Sequence, residues 1–508
     1  MTSRETKICL FLQRRFAPIG HTMAVILNKK YGVEQFCGYV SMRSNLELLK
    51  SSKNPRYTKL ILDEDIYKFY KTESVDLNYL NLLEKEYGIP NLWPFVDSDR
   101  IVRHGLFLRE YPYDFPLHSH EDMLKLTQVY AKAAIQFLEE EKPDVIIFPV
   151  IEGLTTLLLY HIAQKKGIKT LFIQTSRVGN KYTITEQYDD LSYVRQTFEK
   201  LNKGDASCPE YRKLAQKFLA DFRDKPASHE PTDVPSQRPI TRKQQFAFLS
   251  PRKIGTSIFW IIKIFIDYLQ DAFRDDHTKI KPWHHVFDRT KRKIRVLVGF
   301  EDLYDEADKN EDFAFYPLQK EPEISITLFA PFFKDQLWLT RQIARSLPIH
   351  YKLYVKEHPS MFSYRPRKYY KELKKIPNVK LIRPSVSSFD LTKNAKLIAT
   401  ITGTAGWEGI LLKKPVITLG DVFYSALPMV KNCKTIEELP YIVKTQLENF
   451  NYDEEKLINL ITAIYRESAP LDLSQIWDIE GGSQAEKKEE EIMPIVDLIA
   501  EKLNLKAI

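Results

Sequence analysis

The tract from 400 to 420, TITGTAGWEGILLKKPVITLG, holds glycines at 403, 406 and 409 in a chain with only 17 glycines. An apolar run, KLIATI, stops at Thr402-Gly403-Thr404-Ala405-Gly406, and a helical pattern carrying Glu408 begins at once. Glycines admit close approach of a ligand to the backbone. A helix start offers unpaired N–H groups and positive partial charge, which suits phosphate or diphosphate. The hydroxyls of Thr402 and Thr404 add donors. A carboxylate one turn into the helix, Glu408, fits two ribose hydroxyls better than it fits phosphate. The structural alternative is a threonine helix cap with glycines that let helix and sheet pack closely.

A second polar group ends the run HYKLYV, where Lys356-Glu357-His358-Pro359 follows. Pro359 cannot continue a strand ladder, so His358 is expected at a strand tip with Lys356 beside it. An ammonium and an imidazole on one edge suit a nucleotide phosphate. In the first half, three residues follow strand-like runs: His21, Glu152 and Arg177. Glu152 and His21 are the candidates for a general base, Glu152 first because its strand is better defined. Arg177 suits an acidic sugar or a phosphate. Each also reads as a helix-end or loop anchor.

Residues so placed require strands to hold them. KICLFLQ, VIIFPV and IKTLFIQTS read as buried strands, with the helical patterns TMAVILNKKYG and EGLTTLLLYHIAQKKG between them. Such alternation means βαβ crossovers and a parallel sheet. RRFAPIGH reads as a loop. Near 222–245 the composition turns to Pro, Ser and charge, which marks a linker. SIFWIIKIFIDYLQDAF follows, broadly apolar with basic flanks. Alternation resumes with IRVLVGF and ISITLFA as expected strands, then HYKLYV, NVKLIRP, KLIATIT and PVITLG with helices between them. The tail from Thr435 on is helical and charged.

The expected organisation is α/β of GT-B type: two Rossmann-like parallel-sheet domains facing a cleft, with a helical C-terminal tail. The expected boundaries are 1–210, a linker and helical insert at 211–290, a nucleotide-sugar-binding domain at 291–435 and terminal helices at 436–508. Ligands in such sheets lie beyond the carboxyl ends of the strands.

Bulk properties narrow the class. There are 75 Lys and Arg against 67 Asp and Glu, a net +8 over 508 residues. This mild excess suits an anionic ligand or surface but does not indicate nucleic acid, for which no motif is present. The four cysteines are dispersed and read as reduced thiols. Neither a secretory segment nor a membrane span is legible, which predicts a cytoplasmic protein. No metal site is expected: Asp63–Asp65 reads as a helix start and Glu301–Glu306 as a solvated loop at the cleft border.

PLQKEPEISITLFAPFFKDQ, LPIHYKLYVKEHPSMFSYRP and NVKLIRPSVSSFDLTKNAKLIATITGTAGWEGILLKKPVITLGDVFY together resemble the bacterial capsule polysaccharide biosynthesis family over roughly 290–430. PDVIIF and TSRVGN carry a fainter likeness in the first half. The family includes transferases that move Kdo, an acidic sugar, from a CMP donor to capsule lipid anchors. Its HP and serine-pair motifs are similar to those of GT-B sialyl- and polysialyltransferases. The resemblance implies that His358 contacts the donor phosphate, that Ser387 and Ser388 assist, and that Glu408 holds nucleotide ribose. The chain departs from many capsule transferases in having one catalytic module, and its first half carries over no base.

The expected activity is therefore glycosyl transfer from a CMP- or UDP-linked sugar, as substrate and without a cofactor, to a polysaccharide or lipid-linked acceptor. A non-hydrolysing nucleotide-sugar epimerase and a non-catalytic binding subunit are the competing readings. The helix at 257–273 has two readings, a peripheral inner-membrane contact or a core helix.

Overall fold

A computed structural model describes residues 6–52, 54–87, 91–105, 115–151, 153–227, 246–471 and 489–508. The first sheet contains β1 (Lys7–Leu12), β2 (Gln35–Val40), β3 (Tyr57–Leu62), β4 (Val145–Phe148), β5 (Lys169–Thr175), β6 (Lys181–Thr185) and β13 (Ser468–Pro470). Its order is β13-β6-β5-β4-β1-β2-β3. The strands from β5 to β3 run parallel, while β6 and β13 add an antiparallel edge. The second sheet contains β7 (Phe313–Pro317), β8 (Lys352–Lys356), β9 (Val379–Ile382), β10 (Leu397–Thr400), β11 (Val416–Thr418) and β12 (Val430–Asn432). It is parallel throughout, in the order β12-β11-β10-β7-β8-β9. Two parallel-sheet domains with the chain returning to the first give a GT-B architecture.

Both sheets are buried on both faces, which is why their strands read as continuous apolar runs. The return of the chain is part of the first core. Ile492, Ile495, Val496 and Ile499 of the helix Glu489–Lys502 pack with Ile8, Leu10, Met23 and Leu27. Lys30 Nζ and Tyr31 Oη both donate to Asp497 at 2.7 Å. Conversely, the helices Ser192–Asn202 and Pro209–Asp224 share a core with the second sheet, placing Phe198, Leu219 and Phe222 with Trp407, Ile410 and Leu457.

Three sequence expectations fail locally. IRVLVGF is no strand; its apolar residues close the helix Pro282–Val298, which ends at Gly299 with φ +77°. With no breaker between Pro282 and Gly299, the helix runs through a segment whose apolar stretch alone looks extended. ISITLFA contributes the short helix Ile324–Thr327 instead of a strand. The missing central strand is β7, FAFYP, between β10 and β8. Finally, RRFAPIGH is not a loop. The helix Phe16–Tyr31 already includes Pro18, which lies in the first turn where its absent N–H costs nothing.

Candidate functional site

The loops after β7, β8, β9 and β10 meet at one end of the second sheet, built on a buried polar scaffold. Arg365 is fully buried and pairs with Glu321 at 2.9 Å and with Glu357. Glu357 also accepts from the His358 N–H at 2.6 Å and from Tyr370 Oη at 2.7 Å. Two carboxylates around one guanidinium satisfy the charge and fix the loops after β7 and β8 together. Gln319 ties in the third loop. With its amide oriented toward the surrounding donors, its carbonyl accepts from the N–H groups of Thr402 at 2.8 Å and Gly403 at 2.7 Å.

This scaffold changes the reading of the glycine turn. The amides of Thr402 and Gly403 are occupied by Gln319, so the exposed donors at this helix start shift to Thr404 and Ala405, the first residues of Thr404–Leu411. The glycines also have packing reasons. A Cβ on Gly406 would collide with the hydroxyl of Tyr424, which donates to the Gly403 carbonyl at 2.6 Å. A Cβ on Gly403 would lie 2.7 Å from Thr400 Oγ1. Thr402 Oγ1 donates to the Ser325 carbonyl at 2.9 Å.

Around the turn, the ionisable groups lie in one neighbourhood. Lys356, the last residue of β8, is buried and donates to Ser388 Oγ at 2.7 Å. Burial lowers its pKa to about 8, with the negative charge of Glu408 opposing the shift. Burial raises Glu408 to about 7 against the pull of Lys356. Each limits the other's perturbation, the signature of a facing pair. His358 is partly buried, and burial lowers its pKa, so the ring is neutral near pH 7. Its Nδ1 accepts from the Ser360 N–H at 3.1 Å, which leaves the proton on Nε2, free to be offered outward. Ser387 is exposed and caps the helix Ser388–Asn394 by accepting from the Asp390 N–H at 3.2 Å.

Lys320 and Glu323, which follow β7, act electrostatically on His358 and line the cleft. Sequence reasoning missed both because it took ISITLFA for a strand.

The first domain faces this edge with the carboxyl ends of its own strands. A cavity of about 340 Å³ is bounded by Arg14, Asp63, Asp99 and Gly153 on one side and by Lys320 and Glu323 on the other. A second, of about 130 Å³, places Arg177 and Tyr188 opposite Thr402, Thr404 and Trp407. Arg177, at φ +60°, thus shares this cavity with residues of the glycine turn. The indole N–H of buried Trp407, in the wall of that cavity, has no hydrogen-bond partner.

The two base candidates fare differently. His21 lies inside the helix Phe16–Tyr31, not in a loop, and the cleft cavities do not include it. Its Nδ1 faces Tyr57 Oη at 3.0 Å and its Nε2 faces Ser52 Oγ at 2.9 Å, so both ring nitrogens have protein partners. That placement corrects the expectation of a cleft histidine. Glu152 lies outside the described residues.

The structure adds one cluster that sequence did not assemble. His277 donates toward Asp63 at 3.2 Å and toward Glu64 at 2.5 Å, and stacks on Tyr67 with ring centroids 3.8 Å apart. The two carboxylates raise its pKa to about 9 against the opposing effect of burial. The same contacts hold Glu64 at about 2, though burial, the largest influence on it, pulls the other way. Glu64, Asp276 and His277 offer ligand-type atoms within 4.8 Å of one another. With both ring nitrogens directed at carboxylates, His277 forms a hydrogen-bonded ion-pair cluster with Asp63 and Glu64. Asp65 is paired with Arg43 on the surface. Glu301, Asp302 and Asp305 follow a helix, not a strand, and pair with Arg383, Arg367 and Lys374.

The fold and the facing loop edges define a two-domain α/β protein with a cluster of ionisable side chains and a helix start at one end of its second sheet. The family model described as "Capsule polysaccharide biosynthesis protein" matches residues 260–436. Protein FixF of Sinorhizobium fredii is 32% identical over 124 residues, 23% of this chain and 29% of that protein. The chain therefore spans less than a third of that relative's length. Among solved structures, the KpsC β-Kdo 2,7 transferase of Thermosulfurimonas dismutans is 13% identical, covering 72% of this chain and 89% of its own, at a TM-score of 0.38. The UDP-GlcNAc 2-epimerase of Neisseria meningitidis is 12% identical, covering 91% and 99%, at 0.26. Neither likeness is close enough to assign a substrate.

Proposed function

We propose that the protein is a glycosyltransferase that holds a nucleotide sugar on its second domain and passes the sugar to an acceptor across the cleft. The observation that carries this reading is that Lys356, bonded to Ser388 and under the electrostatic influence of Glu408, and His358 two residues on, lie at the carboxyl end of the second sheet where the helix Thr404–Leu411 begins. The match of residues 260–436 to the capsule polysaccharide biosynthesis family model supports it. Glycosyl transfer develops negative charge on the leaving nucleotide phosphate. In this reading the charge is met by the Lys356 ammonium, the Nε2–H of neutral His358 and the amides of Thr404 and Ala405. Glu408 accepts from the ribose hydroxyls when ionised. Side chains and amides do this work, so no metal is required. The donor is CMP- or UDP-linked, and Arg177 meets an acidic sugar or an acceptor phosphate. The acceptor is a polysaccharide or a lipid-linked sugar, and the protein works at the cytoplasmic side.

Incubation with a panel of CMP- and UDP-sugars tests the reading. Slow donor hydrolysis, or transfer to an added acceptor, supports it. An isomerised nucleotide sugar makes the protein an epimerase instead, and binding without turnover makes it a non-catalytic subunit.

A further inference from the structure

We infer that the helical hairpin 251–298 is a docking surface for an anionic lipid bilayer. Its first helix, Pro251–Gln270, contains no buried residue. The inner face rests on the second helix, Pro282–Val298. Arg289 lies over the Trp260 ring at 3.8 Å, Tyr268 meets Trp283 at 5.7 Å, and Lys293 donates to Ser257 at 3.2 Å. The outer face is left to solvent, and it is the more apolar one. Ile254, Ile258, Ile262, Ile266 and Leu269 follow at helical spacing, with Phe259 beside them. Phe259 is 69% exposed, Leu269 67% and Ile262 52%. On the second helix Phe287 is 65% exposed and Val298 61%. An apolar patch of this extent marks an interaction surface.

Charge selects the occupant. Residues 251–298 contain eleven Lys and Arg against five Asp, so this hairpin carries +6 of the chain's net +8. Arg252, Lys253, Lys263 and Arg274 are exposed, against exposed Asp267 and Asp275. Three of the five aspartates are already engaged: Asp271 with Lys279, Asp288 with Arg292, and Asp276 in the His277 cluster. A protein partner could match the apolar stripe, but an apolar stripe edged by cations fits a bilayer interface with anionic headgroups. No helix of the described residues is long and apolar enough to cross a membrane, so the hairpin lies on the surface.

The position of the hairpin also fits. A groove of about 530 Å³ runs between its second helix and the first domain, lined by Lys71, Lys281, Trp283, Phe287, Lys291 and Arg295. Tyr67, Ile101 and His277 border both this groove and the 340 Å³ cleft cavity. An amphiphile at the bilayer surface therefore has a basic, aromatic path to the cleft.

Co-flotation with vesicles tests the inference without depending on sugar transfer. The full chain should float with phosphatidylcholine vesicles holding about one-third phosphatidylglycerol, and not with pure phosphatidylcholine. High salt should weaken the binding. The double variant Phe259→Asp, Ile262→Asp should bind roughly tenfold more weakly with an unchanged melting temperature, since both positions are exposed. Ile349→Asp, at an exposed apolar position on the second domain, should bind as the parent does. A parent that stays unbound at low salt overturns the inference, as does a double variant that floats equally well. So does a parent that is dimeric without vesicles and becomes monomeric in the double variant, because the surface then belongs to a second copy.

Discussion

His358 presents one proton outward because its other nitrogen is occupied by the Ser360 N–H. His358→Ala should raise the donor dissociation constant about 5- to 160-fold, the equivalent of about 1–3 kcal/mol for a charge-assisted contact. Calorimetric titration with CMP and UDP checks this, and an unchanged constant would remove His358 from the site. The Lys356–Glu408 pair gives a pH signature. Lys356 loses its charge as pH rises through about 8, and Glu408 loses its own as pH falls through about 7. If the first meets phosphate and the second ribose, donor affinity is greatest between these values and declines on both sides. Glu408→Gln should abolish the acidic limb and spare the alkaline one. A flat profile in the parent protein would show that neither group faces the nucleotide.

Each site residue depends on the element that carries it. Gly406→Ala should destabilise the helix Thr404–Leu411 by about 1–3 kcal/mol, because the new methyl meets the Tyr424 hydroxyl. Tyr424→Phe in the same background should recover part of the loss in thermal unfolding. If the single change is neutral, the packing account of the glycine is wrong. The His277 cluster anchors the connection between the two hairpin helices to the helix Asp63–Lys68. Since its folded pKa of about 9 lies above the ordinary 6.5, His277 contributes fully below pH 6.5, and that contribution is lost as pH rises through 9. His277→Ala leaves Asp63 without its cation and Glu64 with only Lys68, and should cost about 3–5 kcal/mol at pH 6. The difference from the parent should narrow toward pH 9.5, as read by chemical denaturation at both values.

Across the whole molecule, the two domains are joined by exchange of helices. The C-terminal helix completes the first core, while helices from 192 to 224 complete the second. Removing 489–508 strips Ile492, Ile495, Val496 and Ile499 from the first domain, although the candidate donor groups lie on the second. Expression should yield an aggregated or much less stable chain. A truncated protein that melts at the parent temperature would show that the first domain is complete without its return helix.

The sequence by itself determined the parts that are local. Apolar runs ending in turn residues located β8 to β11, and these runs placed Lys356, His358 and Thr402 at strand ends and Glu408 one turn into the helix after β10, because a buried parallel strand must be apolar along its whole length. Only the tertiary structure decided the rest. Whether IRVLVGF is strand or helix depends on what it packs against, since a short apolar run satisfies either period. The engagement of the Thr402 and Gly403 amides was hidden because their partner, Gln319, belongs to another loop. His21 left the cleft because the first turn of a helix tolerates proline. The Glu64–His277 pair spans 213 positions and has no sequence signal, for an ion pair at that distance exists only once the hairpin has folded back onto the helix Asp63–Lys68.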